Sequence, residues 1–144
     1  MKKTQNTIFY SIERTIKKYR HYSITKINEV VPNITLDQSM LLKELLDKPD
    51  ATQTDLSTFL FKDSASVSRM IELLVRKKLL KRKINRQNRR RNILVVNKEG
   101  IDMMDAITEV VKKNRKAALK GISAEELDSC RATLDKIFNN LRIV

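Results

Sequence analysis

Chain breakers are almost missing from this sequence. Two glycines and two prolines among 144 residues are too few for the turns of a sandwich, a barrel or a loop-rich scaffold, so the chain must be mainly helical. The apolar periodicity agrees. Between Thr7 and Val31, residues Phe9, Ile12, Ile16, Tyr19, Ile27 and Val30 recur at helical spacing, and Pro32 closes the run. Thr35 with Gln38 reads as a capping box for a second helix through Leu41, Leu42, Leu45 and Leu46. Thr52 caps a third, from Gln53 to about Phe61, with Leu56, Phe59 and Leu60 inward. Asp63 opens a fourth, which buries Val67, Ile71, Leu74 and Val75 and turns Arg69, Arg76, Lys77 and Lys78 outward. Two short helices joined by a tight turn, the second basic, make a helix-turn-helix pattern.

The period then changes. Leu80–Ile84 and Ile93–Val96 are short strand-like runs separated by an Asn-rich loop, which suits a hairpin. Its tip carries Arg86, Arg89, Arg90 and Arg91 and no carboxylate. Asn97 is placed to cap a long helix reaching about Lys120, with Ile101, Met104, Ile107, Val111 and Ala118 in step. Gly121 supplies a left-handed stop. Ser123 and Glu126 form another capping box, starting a last helix with a heptad-like stripe of Leu127, Cys130, Leu134, Ile137 and Leu141.

The formal net charge is +13, which points to a polyanionic partner only if it is concentrated. It is concentrated. Residues 1–34 carry +5, residues 35–61 carry −3, residues 62–91 carry +10 and residues 92–144 carry +1. Other classes recede. One cysteine forbids an internal disulfide, and one histidine beside it argues against a metal cluster. No apolar run approaches the length of a membrane span or a signal-peptide core, so a cytoplasmic protein is expected. No Ser/His/Asp cluster or glycine-rich phosphate loop suggests an enzyme, and no cofactor is expected.

The order of long helix, helix, helix-turn-helix, basic hairpin, long helix and final helix resembles the MarR (multiple-antibiotic-resistance regulator) family of bacterial winged-helix transcription factors. The motifs that carry the resemblance lie between Thr35 and Gly100: Leu36-Asp37-Gln38, Thr52-Gln53-Thr54-Asp55-Leu56-Ser57, Ser66-Val67-Ser68-Arg69, the Arg-rich wing, and Asn97-Lys98-Glu99-Gly100. Three positions depart from the family pattern. Lys78 stands where Gly is usual, Asn88 where an Asp commonly orients a wing arginine, and Asn97 where Thr is usual.

The resemblance implies a mainly α fold with a small β-hairpin wing. A winged helix-turn-helix over residues 35–97 would join a dimerisation lobe made from an N-terminal helix (1–34) and C-terminal helices (98–144). It implies a homodimer that binds double-stranded DNA, with its two recognition helices about 34 Å apart. Ser64, Ser66, Ser68 and Arg69 are the expected major-groove readers. Arg86, Arg89, Arg90 and Arg91 form the wing, with Arg90 the expected minor-groove residue, and Lys81, Arg82 and Lys83 are expected on phosphates. The plainer alternative makes these serines helix starters and these arginines a solvated, solubilising surface. The family also implies a small anionic or aromatic effector near the first helix, where Tyr10, Tyr19, His21 and Tyr22 lie, although such residues also serve as ordinary core. Cys130 is expected to be a small buried residue. A ligand-responsive repressor on a pseudo-palindromic operator is the leading expectation. A nucleoid-associated protein of low sequence preference is the main rival, and an RNA-associated protein is disfavoured by scarce aromatics.

Overall fold

A computed structural model describes residues 3–88 and 90–143. After a 3-10 turn at Thr4–Asn6 come α1 (Ile8–Val30), α2 (Leu36–Asp47), α3 (Gln53–Leu60) and α4 (Ser64–Arg76). The hairpin strands β1 (Leu80–Ile84) and β2 (Asn92–Val96) follow, then α5 (Lys98–Ala118) and α6 (Ala124–Asn140). This is the mainly α fold with a small β wing that the sequence led us to expect.

The helix starts are set by short polar side chains. Thr7, Thr35, Thr52, Asp63 and Ser123 each accept a hydrogen bond from a backbone N–H of the first turn they precede. The capping boxes at Thr35/Gln38 and Ser123/Glu126 are both formed, and Thr52/Asp55 adds a third. Gly121 takes the expected left-handed conformation, φ 78°.

The chain divides into two compact units that meet in sequence between Asn114 and Arg115. The first is built around Ile27, Leu41, Leu42, Leu56, Val67, Ile71, Leu74, Leu80 and Ile107, all at or near zero exposure. Each such side chain contributes about 1.5–3 kcal/mol by leaving water. That core therefore takes one turn of α1, the inner faces of α2 to α5, and the base of the wing. Among the described residues one buried side-chain link crosses it: Asn114 Nδ2 donates to Ser23 Oγ at 3.1 Å, and both residues are 2 % exposed. The second unit holds the last residues of α5 and all of α6, none of whose residues is buried.

Several inward assignments need correction. Phe59 is 38 % exposed, because α3 turns only Leu56 and Leu60 to the core. Phe9 and Ile16 on α1, and Ile101 on α5, are likewise exposed. Cys130 is a free, exposed thiol and not a buried residue. Periodicity identifies a stripe but not whether this chain supplies the surface that covers it. Among the described residues, no helix is long and apolar enough to cross a membrane.

Candidate nucleic-acid interface

Helix α4 owes its orientation to one apolar edge. Val67, Ile71 and Leu74 are buried at steps of four and three residues, so the opposite edge faces outward. Arg69 lies on that outer side and is exposed, Ser64 is exposed as the first residue of the helix, two turns before Ile71, and Ser66 and Ser68 are half-buried. Arg69 Nη2 donates to Ser66 Oγ at 3.2 Å, which leans the guanidinium toward the start of the helix. Glu72 also lies exposed on α4, with Arg76 Nη2 3.9 Å from its carboxylate.

The N-terminus of α4 is not an open anion site. Asp63 Oδ1 accepts from Ser66 N–H at 2.6 Å. Hydrogen bonds from the backbone and then the hydroxyl of Ser66, helped by the nearby charges of Arg69 and Lys62, hold its carboxyl below the usual aspartate range. A phosphate approaching here meets a carboxylate that already occupies an amide. Gln53, overlooked in the sequence, joins the site from α3: its Nε2 donates to the Ser64 carbonyl and hydroxyl at 3.2 and 3.3 Å. It is the first residue of its helix, and although it stands inside the Thr52–Ser57 motif, no charge marks it out as a site residue.

Lys62 was also overlooked. It lies in the turn between α3 and α4, with Nζ 3.2 Å from Asp37 Oδ2. The other Asp37 oxygen accepts from Arg20 Nη2 of α1 at 2.8 Å. Burial alone would raise the Asp37 carboxyl, but the two basic partners outweigh it and keep it below the ordinary value. One carboxylate therefore ties α1, α2 and the helix-turn-helix turn together. That turn is strained, since Phe61 is left-handed with φ 55° and is 91 % exposed.

The wing is an antiparallel ribbon with Leu80 opposite Val96 and Ile84 opposite Asn92. Only Leu80 and Val96, at its base, are buried. Lys81, Arg82 and Lys83 are all exposed, but alternation puts Lys81 and Lys83 on one face and Arg82 on the other. Three phosphate contacts from one face of β1 are therefore not available together. At the tip, Arg86, Arg90 and Arg91 are exposed, and Arg89 lies outside the described residues.

The loop is shaped by asparagines. Asn85 Oδ1 accepts from the backbone N–H groups of Gln87 and Asn88, and Asn88 Oδ1 accepts from Arg90 N–H at 3.2 Å. Asn88 thus fixes the backbone of Arg90 and leaves its guanidinium to solvent. A cleft of about 890 Å³ opens between the wing and the start of α3, bordered by Pro49, Thr52, Asp55, Ile71, Arg90 and Arg91. Asp55 on its wall is kept below the usual carboxylate range by the N–H and hydroxyl of Thr52, with smaller contributions from Lys48 and Arg91.

The four α1 residues considered for an effector do not share a face. Tyr10 and Tyr19 are nine residues apart, which at about 100° per residue puts them on opposite sides of the helix. Tyr19 is half-buried, while Tyr10, His21 and Tyr22 are exposed, and Lys26 Nζ lies 5.8 Å from the centre of the Tyr22 ring. The side chain of Asn97, expected as the cap of α5, instead reaches back to donate to the Lys78 carbonyl at 3.0 Å.

With this geometry in hand, comparison with known proteins is direct. Residues 33–91 match the family model described as the MarR family. Among solved structures, the MepR–DNA complex of S. aureus shares 23 % identity over 97 % of this chain and 100 % of that one, with a TM-score of 0.85. BpsR of Bordetella bronchiseptica, whose DNA binding is regulated by 6-hydroxynicotinic acid, shares 18 % over 95 % and 96 %, with a TM-score of 0.82. A MarR/EmrR-family transcriptional regulator from Acinetobacter shares 20 % over 92 % and 93 %, also at 0.82. No curated protein sequence matches significantly. At such identities the structural likenesses establish the fold, and the match to the MarR family model is confined to the winged helix-turn-helix, residues 33–91.

Proposed function

We propose that this chain is a homodimeric, double-stranded DNA-binding transcriptional regulator, acting as a ligand-responsive repressor on a pseudo-palindromic operator. One observation carries the reading. The only strongly basic part of the sequence, +10 over residues 62–91, coincides with α4 and a wing whose described arginines are all exposed. Like charges so concentrated repel one another unless a polyanion is present. In this reading Arg69, with Ser64, Ser66 and Ser68, meets base edges in the major groove. Arg90, flanked by Arg86, Arg89 and Arg91, reaches the minor groove, while Lys81, Arg82 and Lys83 meet phosphates around the strand.

Dimerisation is supported separately in each unit by apolar surface that the single chain leaves open: Phe9 and Ile16 on α1, and Phe138 on α6 with Leu141 just beyond its end. The effector is a small anionic or aromatic molecule, with Tyr10, Tyr19, His21 and Tyr22 the candidate contacts. Its chemistry is suggested by the aromatic acid that regulates BpsR. The spread of those residues around α1 means that a second element must complete any such pocket.

The test is selection of bound duplexes from a random pool, followed by the ratio of affinities for the selected and a scrambled sequence at physiological salt. A regulator gives a ratio of about 10³ or more. A ratio near one favours the second reading, a nucleoid-associated protein, which the all-basic described wing tip keeps in view.

A further inference from the structure

The joint between α4 and the wing carries more constraint than a three-residue connection requires. Lys78 is left-handed there, with φ 61°, a conformation free to glycine but unfavourable for residues with a Cβ. Such a residue stays put only where its surroundings over-determine it. Here they do. Lys78 N–H donates to the Val75 carbonyl and Leu79 N–H to the Leu74 carbonyl, each at 3.0 Å. From the far end of the hairpin, Asn97 N–H donates to the Leu79 carbonyl at 2.9 Å, and Asn97 Nδ2 donates to the Lys78 carbonyl at 3.0 Å. Behind them α5 presses close: a Cβ on Gly100 would stand 2.7 Å from the Leu79 carbonyl oxygen.

We propose that Asn97 is a positioning residue for DNA binding, its side-chain N–H latching the Lys78 carbonyl and so fixing the angle at which the wing leaves the recognition helix. This rests on the DNA-binding reading above and extends it to a residue that does not itself reach the nucleic acid. The lever explains why one hydrogen bond matters. A five-residue strand is about 16 Å long at ~3.3 Å per residue, so a joint rotation of about 10° moves the wing tip by about 3 Å. That is the length of a hydrogen bond, enough to take an arginine out of a groove. Lys78 and Asn97 also form a matched pair. Side chains that stiffen the joint replace the glycine that would let it flex, and an asparagine reaches back where a shorter threonine would not.

The test is a double-mutant cycle between Asn97 and Arg90, read as affinity for an A·T-rich duplex of about 30 base pairs at fixed salt. Alone, Arg90→Ala should weaken binding about tenfold. In an Asn97→Ala background the same change should cost less than about twofold, because the tip is no longer delivered to the groove. Asn97→Asp, similar in shape but without the N–H, should behave as Asn97→Ala does and guards against a fold lost through truncation. An equal loss from Arg90→Ala in all backgrounds overturns the latch and leaves the wing as a DNA element. No loss from Arg90→Ala in the parent protein overturns the wing reading and the latch together.

Discussion

Arg69 and Arg90 carry the same charge in different surroundings, and their substitutions should differ accordingly. Arg69 is leaned by Ser66 Oγ along the outer edge of α4, so Arg69→Ala should relax discrimination at one or two base positions by about 1–3 kcal/mol. Uniform weakening across duplexes would make it a phosphate contact instead. Arg90 has an ordered backbone and a free guanidinium, so Arg90→Ala should weaken binding to most sequences and reduce the salt slope by about one. An unchanged slope would remove the wing from the interface. Phe61 tests strain alone. Its left-handed backbone costs roughly 1–2 kcal/mol, glycine gives back about 0.5–1 in unfolded-chain entropy, and the ring buries almost nothing. Phe61→Gly should therefore leave the thermal midpoint unchanged or raise it by a few degrees, and a clear fall would mean the ring is held by something else. Charge and family pattern made the arginines legible in the sequence. Gln53 and Lys62 were not, because their parts depend on which helix end packs beside which.

At the scale of elements, the Asp37 carboxylate is the joint between α1, α2 and the helix-turn-helix turn. Its folded-state pKa lies below the ordinary 3.8. Its contribution is therefore fully present above that pH and fades as pH falls through the folded value. Asp37→Asn should cost about 1 kcal/mol near neutrality, a figure kept small because Arg20 is partly solvated, and should flatten the acid limb of the unfolding curve below about pH 4. Equal acid sensitivity in both proteins would assign that limb to other carboxylates. Element boundaries were largely readable, since caps such as Thr35, Asp63 and Ser123 act on the residues that immediately follow them. Partners across the fold were not. Asn97 looks like a local cap in sequence, and its bond to a carbonyl 19 residues back exists only once the hairpin has closed.

For the whole molecule, periodicity marks the apolar stripes but not which of them this chain covers itself. It covers those of α2 and α4, and it leaves Phe138 73 % and Leu141 69 % exposed. Phe138→Glu should then lower the dimer fraction in sedimentation without lowering the helical content. It should also weaken operator binding far more than binding of a single half-site. A dimer that persists would place the interface elsewhere. The buried link between Ser23 and Asn114 has a consequence in time. The partners are 91 residues apart, and at about 5–20 residues per second a ribosome needs roughly 5–18 s to make the second after the first. For that interval α1 exists without its polar anchor, and its apolar turns are exposed to whatever else is in the cell. The order of synthesis thus leaves the Ser23 turn of α1 without its buried partner until α5 is made, although Arg20 can meet Asp37 as soon as α2 has formed.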